Sequence, residues 1–129
     1  MKKLKNKTNF DKVKEFNNAM GLPMNEPWIN DNGYNHKLEG LRFSLIEEEF
    51  KEFEEAVDKE NMLKELADLL YVVYGYAATY NLDIDTAFNR VHKSNMSKLD
   101  SDGKPVLRKD GKILKGPNYK EPDLSDLVK

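Results

Sequence analysis

The stretches LRFSLIEEEFKEFEEA, residues 41–56, and KELADLLYVVYGYA, residues 64–77, decide the fold of this 129-residue chain. In both stretches apolar residues recur every three or four positions, which is the period of an α-helix with one face against a core. The pattern predicts one helix over residues 38–57 and another over residues 62–80. Because the second helix is apolar almost all round, we expect it at the domain centre or in a subunit interface.

A shorter helix is predicted before these two, over residues 9–20. Thr8 or Asn9 can serve as its N-cap, and Gly21 offers the left-handed conformation that often ends a helix. The following residues, 22–36, contain two prolines, a glycine and four asparagines. So many helix-breaking residues predict a long loop.

A fourth helix is predicted after the central pair, capped by Asp83 or Asp85 and ending near residue 99. The tail beyond it holds two Asp-Gly pairs, which are typical of tight turns, so the residues at 105–107 and 112–114 are expected to form a short hairpin. The sequence therefore predicts a single all-α domain over the whole chain. Its expected architecture is a four- to five-helix bundle with a short C-terminal β-hairpin or extended tail.

The composition disfavours several classes of function. Lys and Arg number 21 against 23 Asp and Glu, a net charge of −2, so no broad basic surface is expected for nucleic acid or an anionic membrane. The absence of cysteine excludes disulfides and thiolate metal sites and fits a reducing compartment. The longest nearly uncharged run, residues 69–80, is shorter than the ~20 residues of a membrane span. We expect a soluble, cytoplasmic protein with no membrane partner.

Acidic residues occupy unusual positions on both central helices. At about 100° per residue, Glu48, Glu49 and Glu52 fall within an arc of roughly 100° on the first of these helices. Glu49 lies inside the apolar arc, where an ordinary solvated glutamate is not expected. Glu65 and Asp68, spaced i and i+3, repeat this anomaly on the second helix.

Such carboxylates need a neutralising partner, because burying unpaired charges of one sign costs several kcal/mol each. No Lys or Arg is expected among them at a matching helical azimuth. All-oxygen carboxylate sites are typical of hard divalent cations, so the sequence predicts a Mg²⁺ site, with Mn²⁺ as the alternative ion. Glu48 or Glu49 is the candidate base that accepts the proton of an attacking water.

Two other interpretations of the acidic residues fit the sequence less well. A solvated acidic face suits Glu47, Glu54 and Glu55, which lie on the outer side of the helix, but it does not suit Glu49. A carboxylate-bridged di-iron bundle requires Glu-x-x-His pairs. No such pair is present, because neither histidine follows a Glu by three residues.

The pattern Glu48-Glu49-x-x-Glu52, followed after twelve residues by Glu65-x-x-Asp68, resembles the signature of the MazG-like all-α NTP pyrophosphohydrolases. Residues 10–124 most resemble the phosphoribosyl-ATP pyrophosphohydrolase-like proteins within that superfamily. The resemblance implies direct metal ligation by Glu49, Glu52, Glu65 and Asp68, with Glu48 as an additional ligand or water-orienting group. It also implies a homodimer or homotetramer that hydrolyses a nucleotide between its α and β phosphates, giving a monophosphate and pyrophosphate. It leaves the nucleotide undefined.

Five further residues are candidate contacts of the nucleotide substrate. Lys93, Asn95 and Lys98, near the end of the fourth helix, are expected to meet the phosphates, although the two lysines also fit a plain surface role. Arg42 is expected either to contact a phosphate or to form an ion pair with a helix glutamate. Trp28 suits either base stacking or a core position. The alternative function is a non-catalytic helical module that binds metal or nucleotide.

Overall fold

The computed structural model describes residues 6–129, and these residues are mostly helical, as predicted. Its elements are the helices α1 Asn9–Ala19, α2 His36–Glu55, α3 Lys59–Thr79 and α4 Ile84–Met96, the strands β1 Val106–Leu107 and β2 Ile113–Leu114, and a 3₁₀ turn at Ser125–Leu127. The chain forms two compact units, Met1–Leu82 and Asp83–Lys129. The single-domain organisation stays a prediction.

Side-chain caps set where the helices begin. Thr8 caps α1 in a reciprocal pair with Asp11: each backbone N–H donates to the other side chain at 3.1 Å. Asn35 caps α2, and Asp58 caps α3 by accepting from the N–H of Asn61 at 2.8 Å. The helices α2 and α3 thus begin two or three residues earlier than predicted. Their first turns are polar and carry no apolar periodicity, which is why the pattern missed them.

In the first unit, α3 packs against both α1 and α2. Val13 of α1 is 2% exposed, and Ala77 and Ala78 near the end of α3 are 2% and 1% exposed. Phe10 of α1 stacks on Tyr74 of α3 with ring centroids 6.3 Å apart. The core therefore gathers around the C-terminal half of α3.

The N-terminal half of α3 is more open than its apolar composition predicts. Leu63, Leu66 and Leu70 are 68%, 42% and 52% exposed in the single chain. The expected burial at the domain centre holds for the C-terminal half alone. Asn81, with φ of 53°, follows the end of the helix, as expected.

The loop between α1 and α2 is fastened to the end of α3. The backbone N–H of Glu26 donates to the carbonyl oxygen of Thr79 at 2.8 Å. The indole N–H of Trp28 donates to the hydroxyl of Tyr76, also at 2.8 Å. These bonds give the predicted loop a fixed path despite its lack of regular structure.

In the second unit, Asp83 caps α4, and the predicted hairpin forms with Val106 opposite Leu114. The helix ends at Met96, three residues before the predicted end. There the Ser97 hydroxyl donates to the Ser94 carbonyl oxygen at 2.6 Å, and the Lys120 N–H donates to the Ser97 hydroxyl at 3.0 Å. These contacts hold the returning tail against the end of the helix.

Within the described residues, no helix combines the length and the apolar character needed to cross a bilayer.

Candidate metal centre

Three carboxylates from the two central helices converge in the first unit. One oxygen each from Glu49 of α2 and from Glu65 and Asp68 of α3 lies within 4.8 Å of the others. Glu65 is only 7% exposed, whereas Glu49 and Asp68 are half-buried. We call these three residues the carboxylate cluster.

Two oxygens of the carboxylate cluster have no partner. Oε2 of Glu49 and Oε2 of Glu65 are buried, and neither receives a hydrogen bond from an N–H or hydroxyl group among the described residues. Burial, followed by the charges of Asp68 and Glu65, raises the pKa of Glu49. Buried acceptors of this kind need a proton or a cation, and three converging carboxylates form a ligand set that suits a hard divalent ion. The residues present therefore fit a Mg²⁺ or Mn²⁺ site.

Glu52 lies beside the carboxylate cluster, one turn beyond Glu49. Its side chain is close enough to Glu65 and Glu49 for carboxyl hydrogen bonding, and the bond to Glu65 is the largest cause of its raised pKa. Glu48, in contrast, is exposed and is not one of the converging residues. The structure thus brings four of the five predicted carboxylates together and places Glu48 at the solvent side of α2.

A lysine lies against the carboxylate cluster, contrary to the expectation that none would. The Nζ of Lys64 is 3.3 Å from Oε1 of Glu65 and 3.0 Å from Oδ2 of Asp68. The expectation was wrong because Lys64 precedes Asp68 by four residues, which places the two side chains about 40° apart on the same face of α3. Hydrogen bonds to Asp68 and then Glu65 raise the pKa of Lys64.

Arg42 lies two helical turns before Glu49 on the same stripe of α2, a separation of about 10 Å. It is 6% exposed, and its Nε has no hydrogen-bond partner. Its guanidinium rests against Gly75 of α3, where an added Cβ would lie 2.9 Å from Nη1. Burial lowers the pKa of Arg42. No ion pair links Arg42 to a glutamate among residues 6–129, so the expected alternative role, pairing with a helix glutamate, is absent from the described residues.

The indole N–H of Trp28 is hydrogen-bonded, while 42% of the residue stays exposed. Its indole N–H donates to Tyr76, whose hydroxyl donates to Oε2 of Glu39 at 3.0 Å. Tyr34 donates to the other oxygen of Glu39. Sequence reasoning missed this network, although one signal was available: Glu39 precedes Arg42 and Glu49 by three and ten residues on the same buried stripe.

The remaining candidates belong to the second unit. Lys93 and Asn95 are exposed on α4, and Lys98 follows the helix with its side chain partly covered. Lys93 lines a cavity of about 460 Å³ between α4 and the tail, together with Arg90 and Lys120. Two oxygens of Asp126 accept from the Arg90 guanidinium, at 2.5 and 3.1 Å.

Comparison with known proteins identifies the family of this chain. Residues 13–95 match the family described as phosphoribosyl-ATP pyrophosphohydrolase. The uncharacterized protein L479 of Acanthamoeba polyphaga mimivirus is 34% identical over 115 residues, which make up 84% of this chain and 42% of that protein. The chain therefore spans less than half the length of this curated relative.

A crystal structure of a candidate NTP pyrophosphohydrolase from Exiguobacterium sp. 255-15 also aligns with the chain. The TM-score is 0.47 and the identity 21%, over 92% of this chain and 90% of that one. The family match carries the assignment, since it extends over more than half of the chain and contains both acidic helices. The chain belongs to the phosphoribosyl-ATP pyrophosphohydrolase family.

Proposed function

We propose that this protein is a Mg²⁺-dependent nucleotide pyrophosphohydrolase, with Mn²⁺ as an alternative ion. It cleaves the α–β phosphoanhydride of a nucleoside or deoxynucleoside triphosphate, or of a related nucleotide, to a monophosphate and pyrophosphate. One observation carries the proposal: two buried, unpartnered carboxylate oxygens lie in a cluster shared by α2 and α3. Membership in a pyrophosphohydrolase family supports it.

The carboxylate cluster, with Glu52 beside it, is proposed to hold the cation. When bound, such an ion neutralises phosphate charge and helps to orient the attacking water. Glu49 is directed into the cluster, which suits a ligand better than a base. Glu48 keeps its carboxylate in solvent next to Glu49, so we assign proton acceptance from the water to Glu48.

Five residues are proposed to contact the nucleotide. Arg42 offers a buried guanidinium with an unused donor, which is costly without an anionic or acceptor partner. Trp28 offers an aromatic ring whose edge is fixed and whose surface is partly free for a base. Lys93, Asn95 and Lys98 are proposed to meet the phosphates.

We also propose a homodimer or homotetramer, supported by the apolar surface of α2 and α3. Large side chains on these helices stay 42% to 68% exposed: Leu41, Phe43, Phe50, Leu63, Leu66 and Leu70. Large apolar side chains left exposed in this number are typical of a protein interface. Light scattering coupled to size exclusion measures the mass and distinguishes a monomer from a dimer and a tetramer.

A pyrophosphate-release assay tests the activity. Purified protein with Mg²⁺ is offered a panel of canonical, deoxy and oxidised nucleoside triphosphates and phosphoribosyl-ATP. Release is expected from at least one of them, and it should fall to background in Glu49→Gln and Asp68→Asn. Glu54→Gln is the matched control, because Glu54 is exposed on the same helix outside the carboxylate cluster. No release from any nucleotide, with Mg²⁺ still raising the melting temperature, would favour the non-catalytic binding module.

A further inference from the structure

Lys64 holds the outer side of the carboxylate cluster. Its ammonium group contacts one oxygen of Glu65 at 3.3 Å and one of Asp68 at 3.0 Å. We infer that Lys64 is a tethered competitor of the metal ion, occupying these oxygens in the metal-free protein and withdrawing from them when a divalent cation binds. The inference rests on the proposed function, because it requires the cluster to be a cation site.

The lysine is an incomplete partner for this site. It supplies one positive charge to three carboxylates, and it reaches Oε1 of Glu65 while Oε2 of the same residue stays buried without a partner. Oε2 of Glu49 is also left without one. A compact divalent ion carries twice the charge of the ammonium, so it satisfies the inner oxygens better than a lysine that reaches only the outer ones.

Lys64 is free to leave at low cost. Its side chain is 67% exposed, against 39% for its partner Asp68 and 9% for its partner Glu65. The pair with Asp68 is in contact with water and contributes little, because solvent screens it and ordering a long side chain costs entropy. The charge of the buried Glu65 is not left uncompensated, because the incoming cation replaces the ammonium there. Withdrawal therefore returns the ammonium to water without leaving an apolar cavity behind.

Lys64 weakens metal binding in two ways. The ion must first replace the contacts of the lysine with Glu65 and Asp68, and it must then tolerate a positive charge that stays tethered nearby. Lys64 thereby raises the free Mg²⁺ concentration at which the site fills. Its removal should tighten binding, whereas removal of a metal ligand should weaken it.

Isothermal titration of Mg²⁺ into the purified, chelator-treated protein tests this inference without using turnover. Lys64→Met and Lys64→Gln are expected to bind Mg²⁺ about three- to tenfold more tightly than wild type, because they lose one solvent-screened ion pair with Asp68 and one with the buried Glu65. Lys64→Arg retains the charge and should stay near wild type. Lys59→Met is the matched control: it removes the same charge from the same helix, at an exposed residue with no ion pair among residues 6–129.

The outcomes separate this inference from the proposed function. Wild-type affinity, or weaker binding, in both Lys64→Met and Lys64→Gln would overturn the competitor role while leaving the metal site intact. Equal tightening in Lys59→Met would overturn it too, since the effect would then be one of net charge. Failure of the wild-type protein to bind either Mg²⁺ or Mn²⁺ would overturn the proposed function together with this inference.

Discussion

The substitution Glu49→Gln is expected to stabilise the metal-free protein and to remove most of the stabilisation by Mg²⁺. One carboxylate oxygen each of Glu49, Glu65 and Asp68 lies within 4.8 Å of the others. At an effective dielectric constant of about 20, two like unit charges at that distance repel by about 3.5 kcal/mol. Lys64 offsets part of this repulsion, and water screens Asp68, so we expect a net gain of about 1 kcal/mol from the neutral amide.

The dependence of stability on pH should also show that a charged Glu49 destabilises the metal-free protein. Because its pKa is raised in the folded protein, the folded state binds more protons than the unfolded chain between the ordinary and the raised value. The stability of the metal-free wild type should therefore fall as pH rises through that interval. In Glu49→Gln, the free energy of unfolding should lack the share of this pH-dependent fall that is due to Glu49.

Differential scanning calorimetry in chelator and in Mg²⁺ measures both effects. For a chain of this length, 1 kcal/mol corresponds to about 4 °C in melting temperature. In chelator, Glu49→Gln should melt about 4 °C above wild type, while Mg²⁺ at a hundredfold excess over its dissociation constant should raise wild type by about 10 °C. Glu54→Gln should follow wild type in both buffers.

Two results would refute this reasoning. If Glu49→Gln melts below wild type in chelator while retaining native circular dichroism, the carboxylates do not repel one another in the fold. If it shows the full wild-type shift with Mg²⁺, Glu49 is not a ligand.

Three further substitutions test the packing and hydrogen bonding. Val13→Ala removes two buried methyl groups and should lower the free energy of unfolding by about 2 kcal/mol, as measured by urea denaturation. Gly116→Ala would place a Cβ 2.5 Å from the backbone carbonyl oxygen of Lys98. The free energy of unfolding should therefore fall by about 1–3 kcal/mol, and an unchanged denaturation curve would contradict this contact. Trp28→Phe keeps the aromatic ring but loses the 2.8 Å bond to Tyr76, which should cost about 1 kcal/mol by circular dichroism-monitored melting, and no loss would mean that the bond is absent in solution.

Local sequence patterns predicted the helices and the hairpin, because their determinants are local. Apolar periodicity marks α2 and α3, Asn81 marks the end of α3, and the Asp-Gly pair at residues 110–111 marks the turn between the strands. Helix starts were less predictable. Apolar periodicity predicts that α3 begins at residue 62, whereas the side chain of Asp58 caps a first turn that begins at Lys59.

The carboxylates that converge were also predictable, since their helical spacing alone directs them to one seam. The contact of Lys64 with Asp68 also follows from helical spacing, since the two residues are four apart, whereas its contact with Glu65 depends on the rotamer of a long, flexible side chain. The chain of hydrogen bonds from Trp28 through Tyr76 to Glu39 joins a loop to two helices. Such a network depends on tertiary placement, which no spacing within one helix specifies.

The role of the carboxylate cluster is tested most directly by pyrophosphate release from a cleavable nucleotide, compared between wild type and Asp68→Asn in Mg²⁺ and in chelator. Wild type is expected to release pyrophosphate in Mg²⁺ only, and folded Asp68→Asn to give background rates in both conditions. Equal release by wild type in chelator, or a wild-type rate in Asp68→Asn, would contradict a metal-dependent site at these residues.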